Sequence, residues 1–372
     1  MTRGAKSSVH AGGAKPVIFR DVSKLFPDGT VGVDNISVTC EAGKITVFVG
    51  PSGCGKTTTL RMINRMIEPT TGEVLIGETN TAHQDQTSLR RGIGYVIQSA
   101  GLFPHRTIVD NIGTVPLLLG ESKRTARKNA LELMTKVGLD QDMAKKYPQQ
   151  LSGGQQQRVG VARALASNPP VLLMDEPFSA IDPVVRADLQ RELLRLQREL
   201  AKTVVLVTHD LDEAILLADK IVLFEAGGTV AQEGTPEELL LTPASEFVRS
   251  FTGDSGIRWL STISTSELDP GKATKLGQDV IGVDGTDWQL TLSPDQVPLQ
   301  WQQVVDGTIT AQQPCRSTYI HGKDPVRVAF DSALLSPISL AVATDEQQRF
   351  LGFSGLDQFS AVIARERRKY HA

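Results

Sequence analysis

Two short strings in this 372-residue chain carry residue types that can handle phosphate. Gly50 to Thr58 reads GPSGCGKTT and fits G-x-x-x-x-G-K-[ST]. Gly50, Gly53 and Gly55 let the backbone turn sharply with its N–H groups pointing inward, and Pro51, Ser52 and Cys54 fill the turn between them. Lys56 offers a point charge to β- and γ-phosphates, and Thr57 a hydroxyl to Mg²⁺. The second string is LSGGQ, from Leu151 to Gln155. Ser152, Gly153 and Gly154 free backbone N–H groups at the start of a predicted helix running from Gln155 to Ala166, and that positive end suits an anion.

Acid and base candidates follow in chain order. Asp175 and Glu176 end the run VLLM, with Asp175 suited to Mg²⁺ and Glu176 to polarising a water as general base. Such a pair also caps structural elements. His209 ends VVLVT; a lone histidine after a strand is usually incidental, and its order after the two acids is what singles it out. Asp210 with Glu213 reads as a capping box for the next helix. Asp182 before Pro183 reads as an N-cap with proline at the first helical position.

These residues need a particular frame. Ile45–Val49 (ITVFV) is short, apolar and β-branched, as a buried parallel strand is. Thr58–Met66 should be the helix whose N-terminus faces the phosphates. Val171–Met174, Val204–Val207 and Ile93–Ile97 are further strand candidates, and the last delivers Gln98 to the same edge. The frame is α/β.

Taken together, GPSGCGKTT, GYVIQ, LSGGQ, MDEPFSAID and His209 resemble the ABC family of ATPases, over about residues 17–253. The resemblance implies a P-loop NTPase nucleotide-binding domain with an inserted helical subdomain at about 99–165. It implies roles as well. Gln98 reaches the metal and the water, His209 contacts the γ-phosphate, and Ser179–Asp182 crosses a dimer interface. Phe26 stands where the family stacks an aromatic ring on adenine, with a place in the core as the lesser alternative. Ser152, Gly153, Gly154 and Gln155 would complete the site of a second copy, so that ATP is sandwiched in a head-to-tail homodimer. Finer wording, in MINRMIEPTTGEV, LRRGIGYVIQ and LFPHRTIVDNI, resembles the uptake ATPases for glycine betaine, choline, carnitine and proline betaine. ATPases for other solutes share much of it.

The net charge of −3 and a pI near 6.1 leave no basic footprint for nucleic acid. Cys40, Cys54 and Cys315 lack metal-ligand spacing and fit a reducing compartment. Cys54 lies inside the loop, where a bulky thiol reagent is expected to block nucleotide. No run approaches the roughly 20 apolar residues of a membrane helix, and residues 1–16 read as a disordered lead. A transporter then needs separate permease subunits, reached from the cytoplasmic face of the membrane, and a substrate-binding protein beyond them. The resemblance places the permease contact near the charged helical stretch Glu121–Val137 and the segment after Gln98, with Phe103 and His105 as candidates.

After about Gly253 the composition turns to Gly, Ser, Thr and Pro, which reads as a linker over 254–275. Residues 276–372 hold two strand–acidic turn–strand pieces, Trp288–Trp301 and Leu340–Phe353. The second continues into a helix opened by Ser354-x-x-Asp357 and resembles a CBS module, so the region is expected to be a small α+β domain, a degenerate CBS-like pair. The resemblance implies an adenine-type nucleotide near Ser354 and Asp357. The same two residues also read as a helix cap, and the first half lacks the motif, which leaves a purely dimerising pair open. Outside transport, a soluble ABC protein of translation or DNA repair would show a second cassette or a long coiled-coil insertion, and neither is present. A nucleotide sensor with dead catalysis is at odds with intact Lys56, Asp175, Glu176 and His209.

Overall fold

The computed structural model describes residues 13–98, 101–179, 181–253, 259–271 and 273–370. The chain forms two compact units, Met1–Thr252 and Gly253–Ala372.

The first unit opens with β1 (Val17–Leu25) and β2 (Val31–Cys40), then β3 (Ile45–Val49), which runs into the glycine loop and α1 (Lys56–Ile63). Next come β4 (Thr71–Ile76), β5 (Thr79–Asn80), α2 (Gln86–Arg91) and β6 (Ile93–Val96). A helical stretch follows, with α3 (Ile108–Ile112), α4 (Thr114–Leu118), α5 (Lys123–Lys136) and α6 (Gly153–Leu165). The unit closes with β7 (Val171–Asp175), α7 (Pro183–Leu200), β8 (Thr203–Val207), α8 (Leu211–Leu217), β9 (Lys220–Phe224), β10 (Val230–Gly234), α9 (Pro236–Leu241) and α10 (Glu246–Thr252).

The strands sort into two sheets. One is antiparallel, in the order β2-β1-β4-β5. The other runs β10-β9-β3-β8-β7-β6 and is parallel except at β10. β3, β7 and β8 are buried at every residue, which explains their unbroken apolar runs: covered on both faces, they have no solvent side to alternate toward. Phe19, Phe48 and Phe224 pack edge to face between the sheets, with ring centroids 6.2 and 5.4 Å apart. The helical stretch has its own core around Ile108, Met134, Val159 and Leu196. Because β3, β7 and β8 are parallel neighbours, the glycine loop, Asp175–Glu176 and His209 all leave the sheet at one edge, where open α/β sheets hold their ligands. Among the described residues no helix is long and apolar enough to cross a membrane.

The second unit contains an antiparallel meander of β11 (Thr274–Lys275), β12 (Val280–Gly282), β13 (Trp288–Leu292), β14 (Pro298–Val305) and β15 (Thr308–Pro314). Then come β16 (Tyr319–Ile320), α11 (Val326–Leu335), β17 (Ala341–Thr344), β18 (Phe350–Ser354) and α12 (Leu356–Tyr370). Trp301 stacks on Phe353 at 5.6 Å in its core.

Several expectations are corrected here. Only the second half has strand–helix–strand–strand–helix order; from β11 to β15 no helix intervenes among the described residues, so the two halves are not a matched pair. The linker over 254–275 is not a linker from Trp259 onward. Trp259, Leu260, Ile263 and Leu268 are buried, and the Leu260 and Ile263 carbonyls accept from the first N–H groups of α11; residues 254–258 and 272 lie outside the described residues. The disordered lead falls on 1–12, also outside the described residues, whereas Lys15 and Pro16 are tied in by bonds from the Thr203 hydroxyl and the Gly77 N–H.

Candidate functional site

The glycine loop is shaped by contacts that forbid a side chain. Gly50 has φ +147 and Gly55 φ +96, and a Cβ at either would strike the Phe224 or the Gly32 carbonyl oxygen respectively. Ser52 and Gly53 form the exposed crest. Lys56 is 6% exposed; its ammonium donates to the Gly50 carbonyl at 2.8 Å and the Pro51 carbonyl at 2.7 Å, which points it into the hollow of the loop. The Cys54 thiol is buried and lies 3.6 Å from that ammonium. A thiol reagent would have to open the fold locally to reach this sulfur.

Thr57, in the first turn of α1, donates its hydroxyl to Asp175 Oδ1 at 3.1 Å. The other oxygen of Asp175 faces Arg61 Nη2 at 3.5 Å and the Tyr95 hydroxyl at 3.3 Å. Burial, together with the Asp175 charge, raises the Tyr95 pKa and keeps the phenol a donor at neutral pH. A hydroxyl and a carboxylate oxygen side by side are hard donors and would suit Mg²⁺.

Glu176 turns the chain out of β7 with φ +45, a left-handed conformation that costs a non-glycine residue about 1–3 kcal/mol. Its N–H donates to the Val207 carbonyl at 3.0 Å. Its carboxylate meets His209 Nδ1 at 3.3 Å, and His209 is more than half exposed. Gln98 donates to Ser179 Oγ at 3.1 Å, and that hydroxyl donates on to the Glu176 carbonyl. Thus Lys56, Thr57, Asp175, Glu176, His209 and Gln98 converge. Phe26 is half-buried; Gly32 lies against both its ring and the Thr58 methyl, so the ring borders the start of α1.

Ser152 and Gln155 stand apart from this cluster. Ser152 accepts from the Gln155 N–H while the Gln155 amide oxygen accepts from the Ser152 N–H, a reciprocal capping box that starts α6. Ser152 and Gly153 are exposed, while Gly154 packs on Val185. Among the described residues no hydrogen bond joins them to the glycine loop of the same chain.

Other sequence readings divide. Asp210 caps α8, accepting from the Asp212 and Glu213 N–H groups, but Glu213 does not reciprocate. Its buried carboxylate accepts from Gln190 at 2.9 Å instead, and burial raises its pKa. α7 starts at Pro183 with the Asp182 carbonyl accepting from Arg186 N–H, and Ala180 lies outside the described residues. Phe103 is exposed beneath the Arg106 guanidinium, with the His105 ring 6.2 Å away. In the second unit Ser354 is fully buried in β18 and shares a 2.7 Å hydrogen bond with the Tyr319 hydroxyl. It does not cap α12, because Gly355 separates it from the helix. Asp357 is exposed in the first helical turn, where the dipole favours a carboxylate. Arg61, Tyr95 and the link through Ser179 were not anticipated. The i,i+4 spacing puts Arg61 on the same face of α1 as Thr57, but it does not name Asp175 as the partner.

The profile of the ABC transporter family matches residues 33–179. The glycine betaine uptake system ATP-binding protein YehX of Escherichia coli K12 is 48% identical over 251 residues, which are 67% of this chain and 81% of YehX. The chain belongs to the ABC transporter ATP-binding family. This ABC protein is also 53% identical over 232 residues to the glycine betaine/carnitine/choline transport ATP-binding protein OpuCA of Bacillus subtilis, with 62% of this chain and 61% of OpuCA covered. The osmoprotectant import ATP-binding protein OsmV of Salmonella typhimurium is 50% identical over 244 residues, covering 65% and 64%. The matched part therefore spans a little under two thirds of OpuCA and OsmV. Among solved structures, the dimeric post-hydrolysis ATP-binding cassette MJ0796 bound to ADP and Pi matches with a TM-score of 0.54 and 36% identity, over 59% of this chain and 98% of that one.

Proposed function

We propose that this chain is the ATP-hydrolysing subunit of an importer for quaternary-amine osmoprotectants such as glycine betaine, choline or carnitine. The observation that carries the engine is the convergence of Lys56, Thr57–Asp175 and Glu176–His209 at one sheet edge. The names of OpuCA, OsmV and YehX carry the substrate class.

In this reading the loop N–H groups of Gly53 to Thr57 and the Lys56 ammonium bind the β- and γ-phosphates of ATP, and Phe26 offers its ring to adenine. Thr57 and Asp175 hold Mg²⁺, with Gln98 reaching it on closure; the ion neutralises phosphate charge when bound. Glu176 accepts a proton from the water that attacks the γ-phosphorus, and His209, held by Glu176, contacts the γ-phosphate. The bond to the leaving ADP oxygen breaks, giving ADP and phosphate. Ser152, Gly153, Gly154 and Gln155 close on the γ-phosphate bound by a partner copy, which makes dimer closure depend on that phosphate. Two copies dock on permease subunits at the cytoplasmic face, with an extracytoplasmic binding protein delivering solute. The C-terminal unit keeps one CBS-like half, with Ser354 committed to Tyr319, and in this reading it dimerises or regulates rather than gripping nucleotide through Ser354.

The test is uptake into vesicles reconstituted with this chain, its permease and its binding protein, using a panel of labelled solutes. ATP-dependent entry of quaternary amines is expected. Entry of an amino acid or sugar in their place would overturn the substrate class.

A further inference from the structure

Asp175 divides its two oxygens between two environments. Oδ1 accepts from the Thr57 hydroxyl at 3.1 Å, and Oδ2 takes the Tyr95 hydroxyl at 3.3 Å and the Arg61 guanidinium at 3.5 Å. We propose that Tyr95, assisted by Arg61, is a positioning residue that holds Asp175 so that its other oxygen faces Thr57, where the divalent cation is bound. The proposal rests on the reading of Thr57 and Asp175 as the metal-holding pair.

The fold builds this clamp from two separate elements. Tyr95 lies on β6, paired in parallel register with Leu173 on β7; Asp175 is two residues further along β7 and therefore on the same face. Arg61 is one helical turn beyond Thr57 on α1, so both side chains point from the helix toward the end of β7. The Asp175 side chain is only 11% exposed, so water has little part in fixing its rotation. An aspartate free to rotate about its last bond presents either oxygen, and ordering it on metal binding costs entropy. Two donors on Oδ2 remove that freedom beforehand. Replacing an outer partner of a metal-binding carboxylate typically weakens metal binding by about 10–100-fold.

The experiment titrates Mn²⁺ into the full chain with a non-hydrolysable ATP analogue, following bound metal by electron paramagnetic resonance. Nucleotide affinity in EDTA and thermal stability are measured alongside. For Tyr95→Phe we expect about tenfold weaker Mn²⁺ binding, with nucleotide affinity in EDTA unchanged, and Arg61→Gln should shift Mn²⁺ binding in the same direction. Asp175→Asn calibrates the assay by removing the ligand itself. Wild-type Mn²⁺ affinity in Tyr95→Phe, with Asp175→Asn impaired, would overturn the positioning role and leave the metal pair standing. Equal Mn²⁺ affinity in Asp175→Asn and wild type would overturn the metal pair beneath it. An equal loss of nucleotide affinity in EDTA would overturn the role too, because Tyr95 would then act on the loop as a whole.

Discussion

Replacing Glu176 with glutamine removes one proton acceptor and almost nothing else. The side chains are isosteric, and glutamine keeps an oxygen that can accept from His209 Nδ1, now 3.3 Å from the carboxylate. The backbone at φ +45 is as tolerable for glutamine as for glutamate, so the strained turn out of β7 should survive. The Lys56 contacts to the Gly50 and Pro51 carbonyls are untouched, which leaves phosphate binding intact. The loss is therefore that of a positioned general base, about 10²–10⁴ in rate. That corresponds to about 3–5 kcal/mol in the barrier, at roughly 1.36 kcal/mol per tenfold. Steady-state phosphate release from the reconstituted transport complex, with ATP binding measured by equilibrium titration, checks both halves. A rate within tenfold of wild type, or binding lost together with hydrolysis, would refute the assignment.

Lys56→Ala should weaken nucleotide binding in the isolated chain, since the buried ammonium is the loop's only cation, and the check is equilibrium titration with a fluorescent ATP analogue. Ser152→Arg should leave that monomer binding unchanged and abolish hydrolysis by crowding the partner's γ-phosphate; equal binding defects in the two variants would contradict the cross-dimer placement. Burial raises the Glu213 carboxyl above its ordinary 4.5, so the folded state holds that proton more tightly than the unfolded chain does. Its contribution to stability is thus fully present below 4.5 and lost as pH rises through the raised value. Glu213→Gln should flatten that limb of a melting-temperature series, and an unchanged pH slope would count against it. Burial also pushes the thiols of Cys40 and Cys315 up to about 12 and about 11, and Cys54 is buried. Maleimide labelling near neutral pH should accordingly be slow in the native protein and fast only after denaturation.

What was legible in the residues was local. ITVFV followed by a glycine turn and Lys-Thr specifies β3, the loop and α1 because each piece is recognisable within a few positions. The partners of Asp175 were not legible: Tyr95 and Arg61 reach it across 80 and 114 residues, and no periodicity reports which carboxylate a distant donor will find. Glu213 shows the same limit, since its spacing from Asp210 fits a capping box while tertiary packing gives it to Gln190. In the C-terminal unit, scattered apolar residues in a polar stretch have no period, so Trp259 and Leu260 read as linker although they are core. Ser354-x-x-Asp357 carries the letters of a cap, but β18 runs on through Ser354 and buries its hydroxyl against Tyr319.

The central claim is that each hydrolysis site is shared between two chains, with the loop and Glu176 from one and Ser152–Gln155 from the other. Cysteines placed at Ser52 and Ser152 in a Glu176→Gln chain test it directly. With a mild oxidant such as copper phenanthroline present throughout to accept the two electrons, ATP should bring the two positions together and yield an inter-chain disulfide, visible as a dimer band that vanishes without nucleotide. A cross-link within one chain, or one that forms equally without ATP, would contradict the claim.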